Sequence, residues 1–249
     1  DDPRFTLEAL VALAARLPAA SIEYNAGDLS VGQDPALTPS NGLSPEETIR
    51  RIETCRSWMV LKNVEQDPAY AAALEDCLAD IAAAAHTKTG RMEKKRGFIF
   101  ISSAGSVTPF HMDPEHNILM QLRGVKEFHL YPADAGIISD EDHELYHAGA
   151  QHRNLRHKPE FDALAAVHAL APGDALYVPV KAPHWVKVGP SPSVSFSITW
   201  RSRASLNEAS LRLANGALRA RGFTPPPPGA RPLRDLIVGL AHRALSKLG

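Results

Sequence analysis

Cysteine is scarce in this 249-residue chain: there are two, Cys55 and Cys77, neither in a C-x-x-C or other metal spacing. Both fall in segments whose pattern reads as helix. A disulfide framework is thereby excluded, and a reducing, cytoplasmic setting is expected. Charge of one sign is missing too, since 27 basic residues face 28 acidic ones for a formal net charge of −1. A nucleic-acid binder carries a strongly basic footprint, so no nucleic-acid partner is expected. One local crowding, Arg201, Arg203, Arg212, Arg219 and Arg221, reads as a solvated helix face. No apolar run reaches the roughly 20 residues that span a bilayer, and Asp1-Asp2-Pro3-Arg4 opens no leader-like pattern. No membrane association is expected.

What is present falls into three zones: 1–95, 96–203 and 204–249. In the first, apolar spacing predicts a helix over 5–17, then a Gly-, Pro- and Asp-rich loop over 19–43. Ser44, Pro45 and Glu47 form a capping box that opens a helix running to about residue 56. Residues 57–64 read as a strand, and Asp67-Pro68 starts an alanine-rich helix that stops before Gly90. The second zone changes period. Short β-prone runs (GFIFISS, TPFHMD, NILMQLRG, KEFHLYP, ALAAVHAL, ALYVPV, WVKV, VSFSITW) are punctuated by Arg123-Gly124 and Pro172-Gly173-Asp174, which predicts a sandwich or small barrel. Between 133 and 160 lies a polar, histidine-rich insertion, expected to lie over the site. The third zone predicts helices over 205–221 and 232–248. Leu233, Leu236, Ile237, Leu240 and Leu245 form an apolar stripe on the second, which needs either its own barrel or a second copy of the chain against it.

The chemistry is carried by Thr108-Pro-Phe-His111-Met-Asp113. Side chains two apart on a strand share a face, so His111 and Asp113 can approach one metal ion. His184 is the candidate third ligand, delivered by the turn and strand that start at Pro172-Gly173-Asp174. Two imidazoles and a carboxylate leave the opposite face of a metal open, which suits a non-haem Fe(II). Alone, an H-x-D triplet among eleven histidines is a chance pattern.

The surrounding residues add more. TPFHMDPEHNILMQLRGVK, over 108–126, resembles the core motif of JmjC-type 2-oxoglutarate oxygenases, most nearly the branch of the hypoxia-inducible-factor asparaginyl hydroxylase. PGDALYVPVKAPHWV resembles that family's second metal-ligand segment. The resemblance covers about 97–200 and implies a mainly β fold with flanking helices, a double-stranded β-helix (jelly roll, cupin-like). It implies Fe(II) held by His111, Asp113 and His184, with these three as the catalytic centre. It also implies 2-oxoglutarate held by Lys126 at its distal carboxylate, by the Thr108 hydroxyl and by the Asn117 amide. A buried dianion needs such a cation and donors. The activity implied is hydroxylation of a protein, peptide or small-molecule C–H bond, with release of succinate and CO2. Two departures stand out. The family's late-strand asparagine is replaced among Ser195, Ser197 or Thr199, and its co-substrate tyrosine has no counterpart in GFIFISS.

A competing motif is His143-Glu144-Leu145-Tyr146-His147, a formal H-E-x-x-H zinc-hydrolase signature. Its place in a polar insertion, with Gly149 two residues on and Arg153 where an extended motif needs histidine, reads as a chance match. The loop histidines His143, His147, His152 and His157 could also touch substrate. A cupin-like barrel that binds a ligand without catalysis is the other alternative.

Overall fold

The run Val-Ser-Phe-Ser-Ile-Thr-Trp near the end of the second zone decides how the molecule is layered. In the computed structural model, which describes residues 2–151 and 154–245, it forms β10 (Ser193–Arg201) at the middle of the larger sheet. Its side chains alternate with period two. Val194, Phe196, Ile198 and Trp200 enter a core shared with helices, while Ser193, Ser195, Ser197 and Thr199 are buried on the opposite face.

The larger sheet runs β1 (Ile22–Ala26), β2 (Ser57–Lys62), β3 (Glu93–Ser102), β10, β5 (His116–Arg123), β8 (Ala175–Val178). The smaller runs β4 (Val107–His111), β9 (His184–Val188), β6 (Lys126–Leu130), β7 (Ala166–Leu170). Every pairing is antiparallel. This interleaved order is that of a jelly roll, and the fold is the expected mainly β double-stranded β-helix with flanking helices. Leu119, Phe128, Leu170, Val178, Ala182 and Val186 fill the space between the sheets.

Helices cover the outer face of the larger sheet. Leu10 and Leu13 of α1 (Leu7–Ala14), Ile49 of α2 (Pro45–Arg50) and Leu74 and Leu78 of α3 (Pro68–Thr89) pack with the apolar side of β10. The capping chemistry read from the sequence is in place. Ser44 and Glu47 close a reciprocal box, Asp67 caps α3 through the Ala69 N–H, and Gly90 ends it with φ +78°.

Several expectations need correction. The loop at 19–43 contains β1, a short edge strand paired with β2 from Ile22↔Leu61 to Ala26↔Ser57. Both α1 and α2 are shorter than predicted. Arg51 leaves helical geometry (φ −103°, ψ 15°), so Cys55 lies in a turn while Cys77 is in α3. The insertion is not all loop, since α4 (Asp140–His147) starts at a Ser139–Asp142 capping box with three acidic residues in its first turn. Its described residues reach the site at Asn154, which lines a cavity with Thr108 and His111, and otherwise pack away from it. Leu155, Ile137, Ile138 and Phe161 pack with Phe110 and Tyr131 on the outer face of the smaller sheet.

The C-terminal helices are α5 (Arg203–Arg219) and α6 (Pro232–Leu245); the last predicted turn, to 248, lies outside the described residues, as do His152, Arg153 and the Leu245 side chain. Leu233, Leu236, Ile237 and Leu240 stay exposed, so the barrel does not cover the stripe. The arginine crowding is a solvated face only in part, at the exposed Arg203 and Arg221. Arg212 is 5% exposed, paired with Asp140 and near Glu208, and Arg219 holds the buried Glu144. Among the described residues no helix is long and apolar enough to cross a membrane.

Candidate metal centre

His111 ends β4 and His184 begins β9, directly opposite it in the antiparallel register. The register shifts between Thr108 and His111, which turns Phe110 outward into the cluster with Tyr131 and leaves His111 inside. Asp113 follows two residues on, and the Lys181 N–H donates to its carbonyl at 2.9 Å. Lys181 sits in the turn before β9 with φ +63°, so one hydrogen bond ties the two ligand-bearing loops together.

The three side chains converge. Asp113 Oδ2 lies 3.8 Å from His111 Nε2 and 3.8 Å from His184 Nε2. The imidazole centroids are 4.1 Å apart. Among the described residues, this is the one His/Cys/Asp/Glu group found with three potential ligand atoms within 4.8 Å of one another. The tautomers follow from the neighbours. His111 Nδ1–H donates to the Pro109 carbonyl at 2.7 Å and His184 Nδ1–H to the Ala182 carbonyl at 3.0 Å. A carbonyl can only accept, so each Nε2 keeps its lone pair for the centre, the usual orienting arrangement for ligating histidine. Phe128 stacks on His184 at 4.9 Å and fixes its plane.

Lys126 lies on the same inner face as Phe128 and is 6% exposed. Its ammonium sits 5.6 Å from the centroid of Phe100, and no carboxylate among the described residues pairs with it. Burial alone pushes it down to about 7. An ammonium buried this way is costly unless an anion joins it. Asn117 is buried and its Oδ1 accepts from Ser197 Oγ at 2.6 Å, which leaves its NH2 to donate. Thr108 lines a cavity of about 120 Å3 together with His111, Trp58, Asn25, Glu23 and Asn154. Of the three hydroxyls offered for the missing asparagine, Ser195 donates to Gln121 and Ser197 to Asn117. Thr199 Oγ1 is buried without a partner.

The H-E-x-x-H residues do lie on a helix, contrary to the loop reading, but they do not form a centre. Glu144 makes a two-pronged pair with Arg219 at 2.7 and 3.1 Å. His143 and His147 are pushed down to about 4, by burial first and then by nearby arginine and lysine charges. Sequence reasoning missed Lys181, whose Nζ reaches Glu208 on α5 at 2.5 Å. Burial would raise the Glu208 carboxyl, yet the Lys181 and Arg212 cations hold it below the usual range. It also missed Asn154, which pairs with His111 across an isolated bridge and was hidden inside the insertion.

The chain is similar to known proteins in sequence and in fold. The model of a family described as "Cupin-like domain" matches residues 46–205. A Drosophila melanogaster "Jumonji C domain-containing protein 5" is 36% identical over 107 residues, 41% of this chain and 26% of that protein. A Danio rerio "Lysine-specific demethylase 8" is 33% identical over 102 residues, 39% of this chain and 24% of that one. The chain thus spans about a quarter of the length of these curated relatives. Among solved structures, YcfD, "a Ribosomal oxygenase from Escherichia coli in complex with Cobalt and 2-oxoglutarate", aligns with TM-score 0.51 at 16% identity, covering 98% of this chain and 62% of that one, a likeness of fold.

Proposed function

Because the chain belongs to the cupin-like domain family, we propose that it is an iron(II)- and 2-oxoglutarate-dependent oxygenase that hydroxylates a C–H bond in a protein, peptide or small molecule. The observation that carries this reading is a facial set of His111, Asp113 and His184 in the same barrel as a buried, uncompensated Lys126. The donor set fits the metal, with two neutral imidazoles and one carboxylate grouped on one side. The Lys126 ammonium fits the co-substrate, since a dicarboxylate supplies the charge it lacks.

Bound iron(II) with 2-oxoglutarate supplies the dioxygen activation that puts one oxygen atom into a C–H bond while succinate and CO2 leave. The chain's own residues do the placing. His111, Asp113 and His184 would hold the ion from one side and leave the other open. Lys126 would pair with the distal carboxylate, and Thr108 and Asn117 would donate hydrogen bonds beside it. The apolar filling by Leu119, Phe128 and Val186 keeps water from the reacting end.

The asparaginyl-hydroxylase likeness rests on residues 108–126, whereas the curated relatives include proteins named as demethylases. Both outcomes begin with C–H oxidation, and oxidation of an N-methyl group gives a hemiaminal that breaks down to formaldehyde. We favour stable hydroxylation on the likeness of residues 108–126 to the asparaginyl-hydroxylase branch. A ligand-binding cupin without catalysis is the second reading; the complete ligand set weighs against it. Incubation of the iron-loaded protein with 2-oxoglutarate and peptide substrates under air tests the proposal. Succinate formation with a substrate gaining one oxygen atom supports it. Formaldehyde release would move the assignment to demethylation, and no 2-oxoglutarate turnover under any substrate would defeat it.

A further inference from the structure

A distal carboxylate inside the barrel has more acceptor sites than Lys126 and Thr108 fill. Among the described residues several buried groups lack a partner, Ser102 Oγ and Thr199 Oγ1 among them, and the Trp58 indole is the donor of that set that lines the cavity of Thr108 and His111. The chain has three tryptophans. Trp185 Nε1–H donates to Tyr131 Oη at 3.1 Å and Trp200 Nε1–H to Thr89 Oγ1 at 3.1 Å. Trp58, 5% exposed, has an Nε1–H that is buried and unpaired. A buried N–H without a partner costs free energy comparable to a lost hydrogen bond, so an orphan of this kind calls for an explanation.

Its position supplies one. Trp58 is on β2, paired with Ser102 of β3, and its ring lies 6.2 Å from Phe100, the ring that also carries the Lys126 ammonium. Trp58, Thr108 and His111 line the same cavity. The larger sheet therefore brings an indole donor to the wall where the smaller sheet brings a hydroxyl and a metal ligand. GFIFISS, which forms most of β3, places Phe100 here and offers no phenol.

We propose that the Trp58 indole N–H donates a hydrogen bond to the distal carboxylate of 2-oxoglutarate, standing in for the tyrosine hydroxyl this chain lacks. This rests on the reading of the barrel as a 2-oxoglutarate site. It also makes Trp58 a specificity residue, because the donor rewards a co-substrate with a second carboxylate.

The test uses the full chain loaded with diamagnetic Zn(II) and 15N-labelled, so that the three indole N–H resonances are visible. Trp185→Phe and Trp200→Phe assign two of them, and Trp58 follows by elimination even if its own variants fail to fold. Addition of 2-oxoglutarate is expected to move the Trp58 resonance downfield. 2-Oxobutyrate, which has the same metal-binding end but no distal carboxylate, should leave it in place. By calorimetry Trp58→Phe should weaken 2-oxoglutarate by about tenfold or more, as for a lost hydrogen bond to a charged group. Trp58→Tyr should recover part of that loss. If 2-oxoglutarate binds but the Trp58 resonance stays still, or moves equally with 2-oxobutyrate, the indole contact is wrong while the co-substrate site stands. If 2-oxoglutarate does not bind at all, both proposals fall.

Discussion

Lys126 shows how a single residue can carry functional information that its sequence neighbours do not. In KEFHLYP it is an ordinary strand lysine, and alternation says only that it shares a face with Phe128 and Leu130. In the fold that face is the barrel interior, where burial takes the ammonium down from 10.5 to about 7. The sign of the pH effect follows. Above about 7 the ligand-free protein holds this group neutral, so pairing with a carboxylate must take up a proton. Affinity for 2-oxoglutarate should therefore fall as pH rises from 7 to about 9, measured by calorimetry on the Zn(II)-loaded protein. The unfolded chain keeps the ordinary value, so between about 7 and 10.5 the unfolded state binds the extra proton. This group's contribution to stability accordingly rises with pH across that window. Lys126→Met should raise the 2-oxoglutarate concentration needed for turnover at least tenfold, and the ligand-free protein should melt no lower than wild type, because a buried amine with no carboxylate to pair with is replaced by an apolar side chain. A lower melting temperature with unchanged co-substrate demand would mean that the lysine serves folding alone.

At the scale of elements, the turn between β5 and β6 sets where Lys126 starts its strand. Gly124 adopts φ +69°, and a Cβ there would press on the Pro192 carbonyl oxygen. Gly124→Ala should cost about 2 kcal/mol or more in urea unfolding, from backbone strain and the clash together. A neutral result would show that the hairpin has room to shift. The α4–α5 pair offers a contrasting case. Glu144 is 2% exposed and its carboxylate meets Arg219. Glu144→Gln should lower the melting temperature while leaving bound iron unchanged by metal analysis. Loss of iron instead would reopen a metal role for the His143–His147 helix.

Elements differed in how readable they were, for physical reasons. α3 and the strand over 57–62 were legible because a proline-led cap and an uninterrupted apolar run are local signals. β1 was not, because five half-buried residues between Pro-, Gly- and Asp-rich stretches gain their strand character only by pairing with β2. α4 carried its own signal, a serine cap and three acids, but the surrounding polarity masked it.

Across the whole molecule, the β class was visible in the change from helical to two-residue periodicity, but the pairing order was not. β3 and β10 lie side by side from Ser102↔Ser193 to Glu93↔Arg201, a contact that no local pattern encodes. Likewise the metal ligands were recognisable as residue types on a motif, while Lys181, Asn154 and Trp58 join the site only through tertiary placement. Catalysis would depend most on a single coordination event: His111, Asp113 and His184 together holding one ion beside a Lys126-anchored co-substrate. Anaerobic titration of Fe(II) and 2-oxoglutarate, followed by the visible charge-transfer band of the chelate, tests it directly. The band should appear at one iron per chain in the wild type, be absent in Asp113→Ala and His184→Ala, and need much more 2-oxoglutarate in Lys126→Ala. A full-strength band in Asp113→Ala, or none in the wild type, would contradict the account.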